Sequence, residues 1–145
     1  MSEYKLLING ELVEGNASFD IINPATGEAF TTVARASVAQ ADEAVAAAKA
    51  AGPLWAATPI ADRRKAVLAL ADAIAERSDE IARVMTAEQG KPLAEAHGEL
   101  AWTDGYLRHY CTLDLPDRVI QDDENGFIEV RHMPLGVVVG IIAWN

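Results

Sequence analysis

The chain has 145 residues, with 22 acidic against 12 basic side chains and a formal net charge of −10. That length suits one ordinary domain, able to bury roughly 68–70% of its unfolded surface. Half the residues are apolar and 23% are charged, a globular rather than a disordered composition. So acidic a balance argues against nucleic acid or an anionic membrane as the main partner, since phosphate recognition relies on clustered Lys and Arg. The single cysteine, Cys111, leaves no internal disulfide and no multi-cysteine metal site. The first ten residues hold no apolar signal core, and no apolar run approaches the ~18 residues of a membrane span. A soluble, cytoplasmic protein is the expectation.

Residues 4–35 read as strands and turns. Tyr4–Ile8 and Glu11–Val13 flank Asn9-Gly10, a pair that tolerates the positive φ angles of a two-residue hairpin turn. Phe19–Ile22 runs into the turn-rich Asn23-Pro24-Ala25-Thr26-Gly27, and Ala29–Ala36 alternates as another strand. From Ser37 the period changes: Ser37 and Gln40 have capping-box spacing, and an Ala-rich helix is expected to Ala51, ended by Gly52-Pro53. Thr58-Pro59 predicts a second helix start, with the apolar face Val67, Leu70, Ala71 and Ile74. Ser78-Asp79-Glu80 reads as a fresh cap with acids at the positive helix end, followed by Ile81, Val84 and Met85.

Gly90-Lys91-Pro92 closes that segment, and a further helix is expected from Leu93 to about Leu113, with Gly98 and Gly105 weakening it or allowing close packing. Asp122–Gly126 is a polar turn, and Phe127–His132 alternates as a half-exposed strand. Val137–Trp144 is apolar without alternation, the mark of a strand covered on both faces in a parallel sheet. A parallel neighbour would follow only after a crossover of a dozen or more residues. The chain therefore reads as the front part of a longer α/β protein, cut at the first strand of its core.

The chemistry-bearing motifs are few. GxGxxG, GxxxxGK[ST], HExxH and GxSxG are all missing, and His97, His109 and His132 lack metal-ligand spacing. Cys111 falls inside a predicted helix, where it reads as a packing residue rather than an activated thiol. Asn145 differs. At the carboxyl end of a buried strand it stands where open α/β sheets hold ligands, and its amide can donate to charge developing on a carbonyl oxygen. The competing reading is a plain polar residue at a cut site.

Six landmarks occur in order: Leu7-Ile8-Asn9-Gly10-Glu11, Ile22-Asn23-Pro24-Ala25-Thr26-Gly27-Glu28, Glu88-Gln89-Gly90-Lys91-Pro92, Leu107-Arg108-His109-Tyr110, Arg131–Val137 and Ile141-Ile142-Ala143-Trp144-Asn145. Together they resemble the amino-terminal part of the aldehyde dehydrogenase superfamily over essentially the whole chain. One departure is Ala143, where the family usually has proline.

The resemblance implies an incomplete α/β fold: residues 1–118 as the amino-terminal part of the cofactor-binding domain, 119–135 as part of an oligomerisation arm, and 136–145 as the first strand of a Rossmann-like sheet. It implies Asn145 as oxyanion donor and Ile141, Ile142, Ala143 and Trp144 as contacts to NAD or NADP. Trp102 would border the aldehyde tunnel, and Ile22 and Glu88 would contribute to a monovalent-cation site. The implied parent reaction oxidises an aldehyde to a carboxylate in a homo-oligomer. A cysteine thiolate attacks, hydride passes to NAD(P)+, and a glutamate-activated water releases the acid. The matching cysteine and glutamate lie beyond the Trp-Asn pair in the family, so this chain alone is expected to be inactive. A non-catalytic module that pairs with full-length subunits is the alternative. An acyl-phosphate or acyl-CoA-linked reductase is a third reading, disfavoured by the Asn-Pro-Ala-Thr-Gly and Gly-Lys-Pro landmarks.

Overall fold

The computed structural model describes residues 4–142, an α/β arrangement of three antiparallel hairpins and four helices. Strands β1 (Leu6–Ile8) and β2 (Glu11–Val13) pair through the expected turn, with Leu7 opposite Leu12. Asn9 and Gly10 take φ of 52° and 80°. Two successive positive φ angles match the right-handed twist of the flanking strands, which explains Asn-Gly at this point. Tyr4 extends the layer by a parallel bridge to Val33.

Strands β3 (Ala17–Ile22) and β4 (Ala29–Arg35) form the second hairpin. Helix α1 (Val38–Ala57) then opens on the predicted capping box. The Ser37 hydroxyl accepts from the Gln40 amide at 3.1 Å, and Gln40 Oε1 accepts from the Ser37 amide at 3.0 Å. The other end of the Gln40 amide donates to the Glu14 carbonyl at 2.9 Å, fastening the helix start to the strand layer.

Two expectations about helix ends are corrected. Helix α1 does not stop at Gly52-Pro53 but carries Pro53 inside it and runs to Ala57. One proline removes one N–H bond, and the last turn regains partners at Thr58. The Thr58 amide donates to the carbonyls of Leu54 and Trp55, and its hydroxyl donates to Leu54 at 2.9 Å. Thr58 therefore closes α1 rather than opening α2 (Ile60–Glu76), whose N-cap is Pro59. Likewise Ser78 is the first residue of α3 (Ser78–Gln89), and Arg77 alone joins α2 to α3. Asp79 and Glu80 do stand in the first turn of α3, as expected.

Helix α4 (Leu93–Thr112) packs against both α2 and α3. The core lies there: Ala71, Ala82, Ala96 and Leu100 are buried, flanked by Ile74, Ile81, Met85 and Leu93. Leu70, assigned from its spacing to the inner face of α2, is 53% exposed, and the half-buried Val67 and Leu68 share that face with Ala71. Small residues at the contact let the helix axes approach closely. The seam is bridged by Arg108, which donates to Asp104 on its own helix and to Asp72 on α2 at 2.7 Å.

Strands β5 (Arg118–Asp123) and β6 (Gly126–Val130) form the third hairpin around the predicted polar turn. Within residues 137–142, the described part of the expected strand, no strand forms. Pro134–Val137 instead lie against Gly52, Trp55 and Ala56 of α1 and Arg63 of α2. A strand exists by hydrogen bonding to a neighbour, and among the described residues no strand runs beside this segment.

Candidate functional site

The turn after β3 builds one side of a cleft. The Asn23 side chain accepts from the Ala25 amide at 2.9 Å, and the Asn23 carbonyl accepts from the Gly27 amide at 2.8 Å. These bonds fold Asn23–Gly27 into a tight loop, which explains an asparagine followed by proline and closed by glycine. The β3–β4 ladder shifts register between Ile21 and Ile22, right at the loop.

The end of α3 builds the other side. Gly90 closes the helix in the left-handed region, φ 78°, with its amide donating to the Thr86 carbonyl. A Cβ at Gly90 would stand 2.9 Å from the Pro24 ring, so the helix end and the loop approach closely only because this residue is glycine. Ile22, Pro24, Glu88 and Gln89 line the resulting cleft of about 230 Å³. Ile22 and Glu88, 66 positions apart in the sequence, are thus brought together as expected.

Trp102 occupies a separate surface. Its ring is 69% exposed on the outer face of α4, in a groove of about 490 Å³ with Gly98, Ala101, Gly105, Tyr106 and His109. Trp102, Tyr106 and Tyr110 stand one turn apart, with ring centroids separated by 6.0 and 6.5 Å. Gly98 and Gly105 serve no close packing among the described residues, for a Cβ at either would meet nothing within 4 Å. They widen the groove instead. The aromatic ladder escaped sequence reasoning, although the i, i+4, i+8 spacing of Trp102, Tyr106 and Tyr110 was a usable signal.

Ile141 and Ile142 are 96% and 92% exposed at the end of the extended segment, and Ala143, Trp144 and Asn145 lie outside the described residues. Cys111 is half-buried, its thiol 3.7 Å from the Arg64 carbonyl, away from both the cleft and the groove. Elsewhere the charges are structural. Hydrogen bonding to Arg83 holds the Asp79 carboxyl below the usual carboxylate range, and His97 on α4 lies 3.4 Å from the same carboxylate. Arg77 lowers Glu80 in the same way, and the two carboxylates of Asp104 and Asp72 raise Arg108. Among the described residues no group of three or more His, Cys, Asp or Glu gathers for a metal, and no helix is long and apolar enough to cross a membrane.

Comparison with known proteins gives this architecture a context. The chain is similar to the structure of betaine aldehyde dehydrogenase from Staphylococcus aureus, solved with NAD+ (28% identity, TM-score 0.78, covering 83% of this chain and 26% of that one). It is similar to an NAD-dependent benzaldehyde dehydrogenase from Corynebacterium glutamicum (28%, TM-score 0.79, 87% and 29%). An NADP-dependent enzyme from E. coli is similar at 30% identity (TM-score 0.79, 85% and 26%). The chain thus spans about a quarter of the length of these relatives. The sequence profile of the aldehyde dehydrogenase family matches residues 12–145, nearly the entire sequence, and the chain belongs to that family.

Proposed function

We propose that these residues are the amino-terminal portion of an NAD(P)+-dependent dehydrogenase that oxidises an aldehyde to a carboxylate. The observation that carries this reading is the family match over residues 12–145 together with the cleft that joins Ile22 to Glu88. In this reading residues 1–118 belong to the cofactor-binding domain, 119–135 to an intersubunit arm, and 136–145 to the first strand of the cofactor sheet. NAD(P)+ supplies the hydride acceptor. Ile141 and Ile142 fit a place beside it, for both are apolar, extended and open to solvent, and their backbone groups join no ladder. Asn145 then donates its amide to the aldehyde oxygen as negative charge develops there, a role worth ~3–4 kcal/mol in comparable sites.

Trp102 borders the substrate path in this reading, supported by its open, aromatic groove. Glu88 and the Ile22 backbone hold a monovalent cation. Oxygen donors with one carboxylate fit such an ion, and no lysine or arginine neutralises Glu88 among the described residues. The nucleophilic thiolate and the general base are not supplied by these 145 residues, since Cys111 faces the Arg64 carbonyl.

Two experiments test the reading. The purified chain, assayed for NAD(P)H over a panel of aldehydes, should give no turnover above a boiled control. A chimera that puts residues 1–145 in place of the matching segment of an intact relative should oxidise aldehydes, and Asn145→Ala should lower its kcat by about 10²–10³. Full activity in Asn145→Ala would overturn the role given to that side chain.

The uncovered Val119, Phe127, Ile128 and Val130 of the β5–β6 hairpin favour a second reading, a non-catalytic partner of full-length subunits. Size-exclusion chromatography with an intact relative separates the two. A stable, stoichiometric mixed complex would support the module, and elution of unmixed components would remove it.

A further inference from the structure

Glu88 and Gln89 end α3 side by side, and both reach the cleft shared with Ile22 and Pro24. The nearest cation in sequence, Lys91, is engaged by Glu99. The Gln89 side-chain oxygen is closed off from solvent and accepts no hydrogen bond. Leaving an amide oxygen so placed costs about 1–3 kcal/mol. Buried oxygens of this kind are normally satisfied by a water or an ion.

The donors around the cleft are of one kind. Gln89 offers a neutral amide oxygen, Glu88 a carboxylate, and the loop beside Pro24 offers backbone carbonyls, with no sulfur or imidazole among the lining residues. Oxygen-only sets suit hard cations, and affinity for divalent ions rises with the number of carboxylates. A single carboxylate flanked by neutral oxygens matches a charge of +1. The geometry is fixed from both sides, because Gly90 ends α3 against the Pro24 ring and so sets where residues 88 and 89 face the loop.

We propose that the Gln89 side-chain oxygen is a direct ligand of the monovalent cation held at Glu88, and that its neutrality sets the preference of the site for a single positive charge. This rests on the cation site placed at Ile22 and Glu88 above. Gln89→Leu removes the oxygen at similar volume. Gln89→Glu adds a second carboxylate and converts the site toward divalent ions.

Thermal unfolding of the chain, followed by circular dichroism in NaCl, KCl, CaCl2 and choline chloride at equal ionic strength, reads the effect without any catalytic assay. The wild-type chain should be stabilised by NaCl or KCl over choline chloride. Gln89→Leu should weaken that response at least about tenfold in cation concentration, the lower range of what losing a supporting group costs at metal sites. Gln89→Glu should respond most strongly to CaCl2. Should Gln89→Leu fail to fold, ²³Na line broadening by Gln89→Asn, with its shortened side chain, replaces it and should fall below wild type. A wild-type response that Glu88→Gln removes while both Gln89→Leu and Gln89→Asn retain it in full would overturn the role of Gln89 and keep the site. Equal stability of the wild-type chain in all four salts would overturn the site and the proposal together.

Discussion

Helices α2–α4 and the segment 131–142 respond in opposite ways to the same shortage of covering surface. The chain exposes 11145 Å². A compact monomer of 15.5 kDa would expose about 7,200 Å². The helices stay formed because each satisfies its backbone internally and needs only a narrow buried stripe, here Ala71, Ala82, Ala96 and Leu100. Residues 137–142 are as apolar as any strand, yet a strand cannot satisfy its own backbone. Apolar content sets what a segment is able to bury. Hydrogen-bond geometry sets whether it can take shape before burial happens.

Hydrogen exchange should give the largest contrast. Amides around Ala82, Ala96 and Leu100 should be protected at least about a thousandfold over those of Val138–Ile142, and equal protection in both regions would erase the contrast. Truncating Leu100 to alanine should cost about 2–4 kcal/mol in a urea titration, because Leu100 is the largest side chain in the buried set. A cost under half that would place the stability of the chain outside the helices. Gly90→Ala should cost about 1–3 kcal/mol, from a left-handed backbone and contact with Pro24. An unchanged midpoint there would mean that the loop and α3 are not packed as described.

Acid should produce the smallest change. Asp79 and Glu80 are held low by Arg83 and Arg77, and Asp123 by the Gln121 amide. A lowered carboxyl contributes stability that is present above its unfolded-state value and is lost as pH falls through the folded one. Melting temperature should therefore hold steady from neutral pH down to about 5 and decline below about 4. Asp79→Asn should flatten part of that decline. Added salt should shrink it too, since these pairs sit in solvent.

Where the physics is local, the sequence was readable. The Asn9-Gly10 turn, the Ser37–Gln40 box, the Gly90 stop and the Leu93–Thr112 helix each rest on contacts within a few residues. Helix ends at Gly52-Pro53 and Thr58 were misjudged because two uses compete for one residue. A threonine before proline can open the next helix or close the last, and the Leu54 carbonyl decided it. Leu70 was assigned inward from spacing alone, whereas burial on α2 follows the direction from which α4 arrives. Of the candidate site, Ile22 and Glu88 were reachable only through family resemblance. Gln89 carried no signal in sequence, for an orphaned oxygen exists only once the loop and helix meet.

Arg77 is both the last cap of α2 and the first of α3, so the two helices share a one-residue joint. Each residue of a helix turns its successor by about 100°. Inserting a single amino acid at that joint would swing Ala82 away from Ala96 and point the Glu88–Gln89 end of α3 off the Pro24 loop. Length variation among natural versions of this protein is thereby barred at position 77, while the hairpin tip at Glu124-Asn125 stays open to it.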